Sequence, residues 1–285
     1  MHTNRHLRHP LPLRAGIATA ALALTAGLGG CAGPTPAQTT AAGSAAEAVE
    51  AAEPRCEAFA EIPLGRYWIN NNLWGRDAGS GTQCVEELSQ DGETVGWRTD
   101  WDWTGEPYQV KSYASAVLGW HWGWKAQDTG LPVALSQDTP VPSRWDYEVD
   151  TDGTAAVNYD LWLHDVAEPD WEDDPADEVM IWLSSHGGAG PIGERVDTVR
   201  VAGQDWHLHR GEILDESGNH MWWVHSFVHT EGTTSFEADL ADFTGTLVER
   251  GDLREEQYLS SVQAGVEVFQ GTGELTTSAY STTVG

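Results

Sequence analysis

The chain has 285 residues, with 44 Asp and Glu against 15 Lys and Arg, and its formal net charge is −29 at neutral pH. A surface this acidic lacks the positive charge that attracts nucleic acid or anionic lipid, so the composition excludes both as partners and suits a neutral ligand. The length is sufficient for one large β domain after an export leader.

The N-terminal segment has the pattern of an export signal. Arg5, Arg8 and Arg14 form a basic stretch, and the apolar run that follows over 15–28 is too short to span a membrane. This run ends in Leu-Gly-Gly-Cys (28–31), which resembles a bacterial lipobox with Cys31 as the acylated residue. We therefore predict a lipoprotein-type signal peptide over 1–30, with membrane contact only through this lipid. Ordinary secretion after cleavage nearby is the alternative.

The next segment and two further cysteines suggest a tether followed by a disulfide-bonded domain. Residues 31–54 are rich in Ala, Thr, Pro and Glu without periodicity, which predicts a flexible tether before a domain over 55–285. Cys56 and Cys84 are the only cysteines beyond Cys31. In an exported domain an even number of cysteines predicts a disulfide, with two buried thiols as the alternative.

The body of the domain has the spacing of short β-strands. From residue 67 to 229, runs rich in Trp, Tyr, Val and Leu alternate with clusters of Gly, Pro, Asn and Asp. The runs include 66–70, 110–113, 156–163, 178–183, 205–209 and 221–228. This pattern predicts an all-β jelly-roll sandwich of two antiparallel sheets, with a concave cleft and no second domain.

One segment after these runs has helical spacing instead. The apolar residues at this spacing are Phe236, Leu240, Phe243 and Leu247. Thr234 and Glu237 fit a capping box, and Gly251 fits a C-terminal stop. We therefore predict a single helix over 236–250, packed on the convex side of the sheets.

Two glutamates stand inside apolar strand-like runs. Because side chains alternate between the faces of a strand, Glu178 shares a face with Met180 and Trp182, whereas Glu267 points away from its flanking valines. A carboxylate among aromatic residues is costly unless that face is a wet cleft, so we favour a cleft over an exposed edge strand. Two carboxylates that face one sugar-sized cleft are the groups that break a glycosidic bond.

Further polar and aromatic residues fit the same cleft. In the run 156–163, Asp160 shares a face with Trp162, and a neighbouring position beside Glu178 would tune the ionisation of that carboxylate. Asn72 and Trp74 belong to an Asn-rich motif after the first strand-like run. Asn offers donors and acceptors to hydroxyl groups, and an indole offers a flat face to a pyranose ring.

Two candidate metal sites are weaker. His207 and His209 share a strand face with His225 not far along the chain, and a zinc site is conceivable. No cysteine or regular carboxylate spacing accompanies them, so we favour a polar outer strand face. The segment 165–177 carries seven acids without the Asp and Gly spacing of a known calcium loop, and we favour a solvated loop. No metal or other cofactor is predicted.

Five motifs follow one another in an order that resembles glycoside hydrolase family 12. They are Asn-Asn-Leu-Trp-Gly (71–75) followed by Cys84, Val-Lys-Ser-Tyr (110–113), Asn-Tyr-Asp-Leu-Trp (158–162), Glu-Val-Met-Ile-Trp-Leu (178–183) with Gly-Pro-Ile-Gly (190–193), and Gly-Val-Glu (265–267). The resemblance covers essentially all of 56–285. It implies a β-jelly roll with one helix and the activity of a retaining endo-β-1,4-glucanase or xyloglucanase.

The resemblance also implies roles for individual residues. Glu178 matches the family nucleophile, Glu267 the acid/base, and Asp160 the aspartate that supports the nucleophile. The positions that match substrate-binding residues are Asn72 and Trp74 on the non-reducing side, and Trp162, Met180, Trp182 and Pro191 in the rest of the cleft.

These observations together predict an exported, monomeric endo-β-1,4-glucanase that acts on cellulose-like glucan or xyloglucan without a cofactor. One alternative is a non-catalytic carbohydrate-binding sandwich, which would keep the tryptophans but needs no second glutamate. The other is a xylanase on the related jelly roll, against which the Met-Ile-Trp run and the Asn-Asn-Leu-Trp-Gly motif weigh. Which glucan is preferred depends on loop shape, which the sequence does not reveal.

Overall fold

The computed structural model describes residues 53–285. The predicted signal peptide, Cys31 and nearly all of the predicted tether lie outside the described residues. Within the described part, no helix is long and apolar enough to cross a membrane.

Fourteen strands and one α-helix make up the described domain. The strands are β1 (Glu61–Leu64), β2 (Tyr67–Asn70), β3 (Gly79–Asp91), β4 (Thr94–Gly105), β5 (Ser112–Gly119), β6 (Val133–Ala134), β7 (Pro142–Thr151), β8 (Thr154–His164), β9 (Asp177–His186), β10 (Glu194–Val201), β11 (Gln204–Leu214), β12 (His220–His229), β13 (Ser235–Asp239) and β14 (Tyr258–Thr282). The helix is α1 (Ala241–Arg250), and short 3-10 turns occur at Arg76–Ala78 and Leu135–Gln137.

The strands form two layers joined by one long strand. The inner layer has the order β1-β2-β5-β14-β8-β9-β12-β11-β10, and the outer layer has the order β13-β7-β14-β4-β3. The first part of β14 pairs with β5 and β8, and from Gly271 onward it pairs with β4 and β7. The predicted all-β jelly-roll sandwich with one helix is therefore confirmed, with one exception to its antiparallel pairing, since β12 runs parallel to β9.

The core between the layers follows the predicted alternation of side chains. Val179, Ile181 and Leu183 of β9 are fully buried in it, as are Tyr159 and Leu161 of β8. Several tryptophans, including Trp97, Trp145 and Trp206, are core residues and not ligand platforms. The side chains at the alternate positions of β8, β9 and β14 therefore face the other side of the inner layer.

The strand-like runs of the sequence fall within strands, except at β5. Only the second half of the predicted run at 110–113 belongs to β5, which begins at Ser112 and continues to Gly119. Three successive small residues, Ala114, Ser115 and Ala116, form the middle of β5 and are fully buried. Small residues lack the β-branched and aromatic side chains that indicate a strand in sequence. The predicted run therefore ended at residue 113, although the strand continues to Gly119.

The helix begins five residues later than predicted. Residues 235–239 form β13, which pairs with β7, and α1 starts at Ala241. The predicted capping box of Thr234 and Glu237 is therefore wrong, and Asp239 Oδ1 instead accepts a hydrogen bond from Ala241 N at 3.0 Å. The apolar spacing misled because Phe236 enters the core from a strand and Phe243 enters it from the helix. Gly251 ends α1 in the left-handed region, as predicted, with φ 78°.

Two further predictions about the scaffold, the side on which the helix packs and the disulfide, are confirmed. Phe243 of α1 packs against Trp206 and Phe227, which point away from the cleft face, so the helix lies on the convex side of the inner layer. Cys56 and Cys84 form a disulfide with a Cα–Cα distance of 4.1 Å, which joins the segment before β1 to β3. Disulfides are typical of proteins in oxidising compartments, and this one is consistent with export.

Candidate active site

The inner layer brings three carboxyl groups to its face opposite the core. β8 lies between β14, which carries Glu267, and β9, which carries Glu178. Asp160 of β8 is opposite Gln263 on one side and Met180 on the other, so it stands between the two glutamates. The alternation of strand side chains therefore predicted the correct face for all three carboxyl groups.

Glu178 is nearly buried and is held by a tryptophan. Its side chain is 9% exposed, and Trp222 of β12 donates its indole N–H to Glu178 Oε2 at 2.9 Å. Burial raises the pKa of Glu178 to about 7, while hydrogen bonds from Trp222 and Asp160 act in the opposite direction. A donor that binds the charged form stabilises the carboxylate, so Trp222 favours the ionised state that a nucleophile needs.

Asp160 is also buried among the carboxyl groups. Burial, followed by the charges of Glu178 and Glu267, raises its pKa well above the usual range. This shift favours the protonated form of Asp160, which can donate a hydrogen bond to Glu178.

Glu267 is the third carboxyl group whose pKa is raised by burial. Burial, and then the charge on Glu178, raises the pKa of Glu267 to about 8. Tyr113 of β5 is opposite Glu267 in the register, and its hydroxyl donates to Asn158 O at 3.1 Å. The pKa of Tyr113 is also raised, by burial and then by the nearby carboxylates, which keeps the phenol neutral.

The ionisation of one glutamate affects the other. The charge on Glu178 raises the pKa of Glu267, so the ionised form of Glu178 favours the protonated form of Glu267. Carboxyl groups whose environments separate their pKa values can act as a carboxylate and a proton donor at the same pH. This relationship is consistent with the nucleophile and acid/base roles that the family resemblance implies for Glu178 and Glu267.

A polar floor continues from the carboxyl groups toward β2 and β5. Asn72 is buried, with its Nδ2 at 3.5 Å from His121 Nε2, and Gln263 Nε2 lies 2.9 Å from His121 Nδ1. Burial lowers the pKa of His121 to about 4, so this imidazole is neutral. Sequence reasoning missed His121 because it lies in a loop without periodicity. Gln263 could have been found, since it shares the face of Glu267 four residues earlier on β14.

Trp74 stands at the edge of this floor and is accessible. It is 52% exposed and lines a cavity of about 430 Å³ together with Tyr108, Gln109 and Val110. Lys111, which is buried, donates to Gln109 O at 2.8 Å and so holds the loop that carries Tyr108. The geometry at Trp74 suits the predicted sugar platform.

The remaining predicted substrate contacts differ in accessibility. Trp162 packs against Trp222, with ring centroids 5.7 Å apart, and lies next to Glu178 in the register. Met180 is mostly buried, with 8% exposure, whereas Trp182 is only 1% exposed and donates its N–H to Met180 Sδ at 3.5 Å. Trp182 therefore shapes the floor from below. Pro191 is half-buried in the loop after β9.

The histidines considered for zinc do not meet. His207 and His209 are opposite Val228 and Ser226 on the cleft side of the sheet, whereas His225 faces the convex side. There, His225 Nε2 lies 3.0 Å from Asp177 Oδ1. Within 53–285, no group of three His, Cys, Asp or Glu side chains could hold a metal ion, and this includes the acidic segment 165–177.

Comparison with known families agrees with this geometry. The sequence model of glycosyl hydrolase family 12 matches residues 65–285. The chain belongs to glycosyl hydrolase family 12. Membership disfavours both alternatives, the non-catalytic carbohydrate-binding sandwich and the xylanase on the related jelly roll.

Individual family 12 relatives match most of the chain. Endoglucanase S of Pectobacterium parmentieri is 36% identical over 212 residues, which are 74% of this chain and 78% of that protein. A xyloglucan-specific endo-beta-1,4-glucanase A of Emericella nidulans is 39% identical over 235 residues, which are 80% of this chain and 90% of that protein. Among solved structures, a family 12 xyloglucanase from Bacillus licheniformis in complex with ligand superposes with a TM-score of 0.75 at 34% identity, covering 82% of this chain and all of that one.

Proposed function

We propose that the chain is an endo-β-1,4-glucanase that hydrolyses internal bonds of cellulose-like glucan or xyloglucan with retention of configuration. The observation that carries the proposal is the placement of Glu178 and Glu267 on one cleft face, where the charge of Glu178 raises the pKa of Glu267. Relatives named as endoglucanase and as xyloglucan-specific endo-beta-1,4-glucanase support the substrate class.

In the first step, the Glu178 carboxylate attacks the anomeric carbon while Glu267 gives its proton to the departing glycosidic oxygen. A covalent ester between the sugar and Glu178 results. In the second step, the Glu267 carboxylate takes a proton from water, the resulting hydroxide attacks the same carbon, and the bond to Glu178 breaks. Both glutamates return to their starting states, so atoms and protons balance without a cofactor.

Asp160 acts on the reaction through Glu178. Because the high pKa of Asp160 keeps it protonated, it donates to the Glu178 carboxylate and orients it. Glu178 must also depart from the sugar in the second step, and a hydrogen bond to the leaving carboxylate favours this departure.

The proposed substrate contacts extend along the cleft on both sides of the carboxyl groups. Asn72 and Trp74 hold glucosyl units on the non-reducing side, where an exposed indole and an amide lie next to the polar floor. The other proposed contacts are Trp162, Met180, Pro191 and, from below the surface, Trp182.

We also propose that the protein is exported as a monomer. The basic and apolar start of the chain and Leu-Gly-Gly-Cys (28–31) support cleavage after residue 30 and acylation of Cys31. Residues 31–54 then tether the catalytic domain over 55–285 to the lipid. The disulfide supports an oxidising destination. Mass spectrometry of the membrane fraction should find a diacylated Cys31, and an intact, unmodified Cys31 in the soluble medium would overturn this anchor.

Product analysis tests the activity and its stereochemistry together. Proton NMR of a fresh digest of soluble β-glucan should show the β-anomer first and the α-anomer only after mutarotation. Products of intermediate length should appear early, because an endo-acting enzyme cuts within the chain. Early release of the α-anomer would overturn retention, and early release of glucose or cellobiose alone would overturn internal cleavage.

A further inference from the structure

Asp177 begins β9, next to the proposed nucleophile Glu178, and the proposed catalytic steps do not use it. Because side chains alternate along a strand, Asp177 points to the side of the inner layer opposite the cleft. It is 7% exposed there and borders a cavity of about 570 Å³. A glucan in the cleft is on the other face of the sheet, so an effect of this carboxylate on the reaction must pass through neighbouring residues.

Both oxygens of the Asp177 carboxylate are held by buried partners. Oδ1 lies 3.0 Å from His225 Nε2 on β12, and Oδ2 accepts a hydrogen bond from Gln257 Nε2 at 2.6 Å. The two partners are each 1% exposed. Gln257 is itself fixed, because its Oε1 accepts a hydrogen bond from Arg254 N at 2.9 Å, and it directly precedes β14. The carboxylate thus joins β9 to β12 and to the entrance of β14.

This contact lies where the pairing of β9 with β12 begins. Asp177 and Trp223 are the first pair of the parallel ladder, and just before it Trp223 N donates to Ala176 O over a long 3.4 Å. Trp222, the donor to the nucleophile, lies one residue outside the ladder. No pair of this ladder therefore fixes Trp222 relative to β9. The contact between Asp177 and His225 links the two strands within three residues of Trp222.

We propose that Asp177 is a positioning residue that holds β9 against β12 from behind the sheet, so that the Trp222 indole keeps its hydrogen bond to the Glu178 carboxylate. This inference rests on the proposed endoglucanase function, in which Glu178 is the nucleophile. A donor to a carboxylate favours its ionised form. Loss of the Asp177 contact should therefore resemble a partial loss of the Trp222 hydrogen bond.

The substitution Asp177→Ala tests the proposal with soluble β-glucan as the substrate. We expect kcat to fall about tenfold while KM stays within about twofold, because Asp177 does not contact the substrate. The acid limb of the pH–rate profile should move toward higher pH by up to about one unit, the shift expected for Trp222→Phe. Asp177→Asn keeps the size of the side chain and one acceptor oxygen, so it should restore most of kcat.

A double variant separates this role from a general effect on stability or charge. If Asp177 acts through Trp222, Asp177→Ala combined with Trp222→Phe should have the acid limb of Trp222→Phe alone. The cavity has other charged or ionisable groups, namely Asp165, Asp174, Arg210, His220, Asp252 and Arg254. Asp165→Ala is the charge-matched control, because Asp165 pairs with Arg254 and not with β12. This control should leave both kcat and the acid limb unchanged.

An unmoved acid limb in Asp177→Ala would overturn the proposal, even if the unfolding midpoint fell. Single shifts that add in the double variant would also overturn it. If Asp177→Ala does not fold, His225→Phe removes the same contact, retains a ring and carries the test with the same outcomes. If the unmodified protein did not cleave soluble β-glucan, the proposed endoglucanase function itself would fail, and that outcome is distinct from the others.

Discussion

Trp222 donates its indole N–H to Glu178 Oε2 at 2.9 Å from a strand that runs parallel to the strand of Glu178. In this parallel pair, Val224 is opposite Glu178, and Trp222 reaches the carboxylate from two positions earlier on β12. The single parallel pairing of the inner layer therefore places a donor beside the proposed nucleophile. Removal of this donor should change the titration of Glu178 more than the shape of the cleft.

Trp222→Phe should shift the acid limb of the pH–rate profile toward higher pH. The indole stabilises the ionised form of Glu178, so its loss raises the pKa of Glu178 and protonates the nucleophile over a wider range. A hydrogen bond to a charged group predicts a shift of about one pH unit. Trp223→Phe is the control, since Trp223 faces the other side of β12 and stacks on Arg210. Equal shifts in the two variants would contradict the assignment.

Asp160→Asn and Asp160→Ala should differ because Asp160 donates a hydrogen bond to Glu178. Its pKa is raised well above the usual range, so the native side chain is a donor to Glu178. Asn retains an N–H donor of similar size, and we expect a loss in kcat of about tenfold, against about a hundredfold for Ala, which removes the donor. Measurement of kcat on soluble β-glucan decides this. Equal losses would indicate that Asp160 acts as a carboxylate.

Glu267→Gln should stabilise the protein at alkaline pH. An unfolded glutamate titrates near 4.5, whereas burial raises the pKa of Glu267 in the folded state to about 8. The folded chain therefore keeps a proton that the unfolded chain releases, and the free energy of unfolding falls as the pH rises from about 4.5 to 8. Gln does not titrate, so this loss disappears.

Urea unfolding at pH 4 and pH 9 provides the measurement. The variant should be nearly as stable as the wild type at pH 4 and more stable at pH 9, by up to about 5 kcal/mol, since the pKa rises from 4.5 to about 8 and one pKa unit corresponds to about 1.4 kcal/mol. Glu274→Gln, on the outer layer and half exposed, is the control and should show no such pH dependence. A variant less stable than the wild type at pH 9 would show that burial of Glu267 does not destabilise the folded state.

The sequence predicted the faces of the strands better than their ends. Alternation placed Glu178 and Asp160 on one face, because burial of one face fixes the register of a strand. It did not reveal Trp222 as the partner of Glu178, since neighbours in a sheet depend on chain topology and β12 is distant in sequence. His121 was missed for a related reason, because a loop side chain carries no periodic signal before the fold places it.

The structure was also needed to separate the tryptophans that are accessible to a ligand from those that pack in the core. Trp74 and Trp122 are exposed, whereas Trp97 and Trp145 stack on each other in the core, with ring centroids 6.1 Å apart. Composition alone cannot separate these two uses of the same side chain. Trp182 shows what a motif cannot predict. Its side chain is on the predicted cleft face of β9, but it is only 1% exposed and therefore lies beneath the cleft surface.

The cap of α1 offers a test of the corrected helix boundary. Asp239 Oδ1 accepts hydrogen bonds from Ala241 N at 3.0 Å and from Val141 N at 2.7 Å. Asp239→Ala should therefore lower the free energy of unfolding by about 1–2 kcal/mol. Thr234→Ala should have almost no effect, because residue 234 precedes β13 and does not cap the helix. Denaturant unfolding of both variants gives the comparison, and the reverse order would restore the longer helix.

The two glutamates can be separated by their mutants. Glu178→Ala should abolish turnover, because no nucleophile remains. Glu267→Ala should lower hydrolysis of natural glucan by about a thousandfold, since the departing alkoxide needs a proton, and should be far less damaging with an aryl glycoside whose leaving group departs unaided.

Azide should then rescue the two variants with opposite stereochemistry. At Glu267→Ala it should attack the sugar ester on Glu178 and release a β-glycosyl azide. At Glu178→Ala it should enter through the vacated nucleophile position and give the α-anomer, because a single displacement inverts the configuration. Proton NMR of the products distinguishes the anomers. Exchange of the two anomers between the variants would mean that the nucleophile and acid/base roles are reversed, and near-normal polymer hydrolysis by both variants would contradict catalysis by this pair of carboxyl groups.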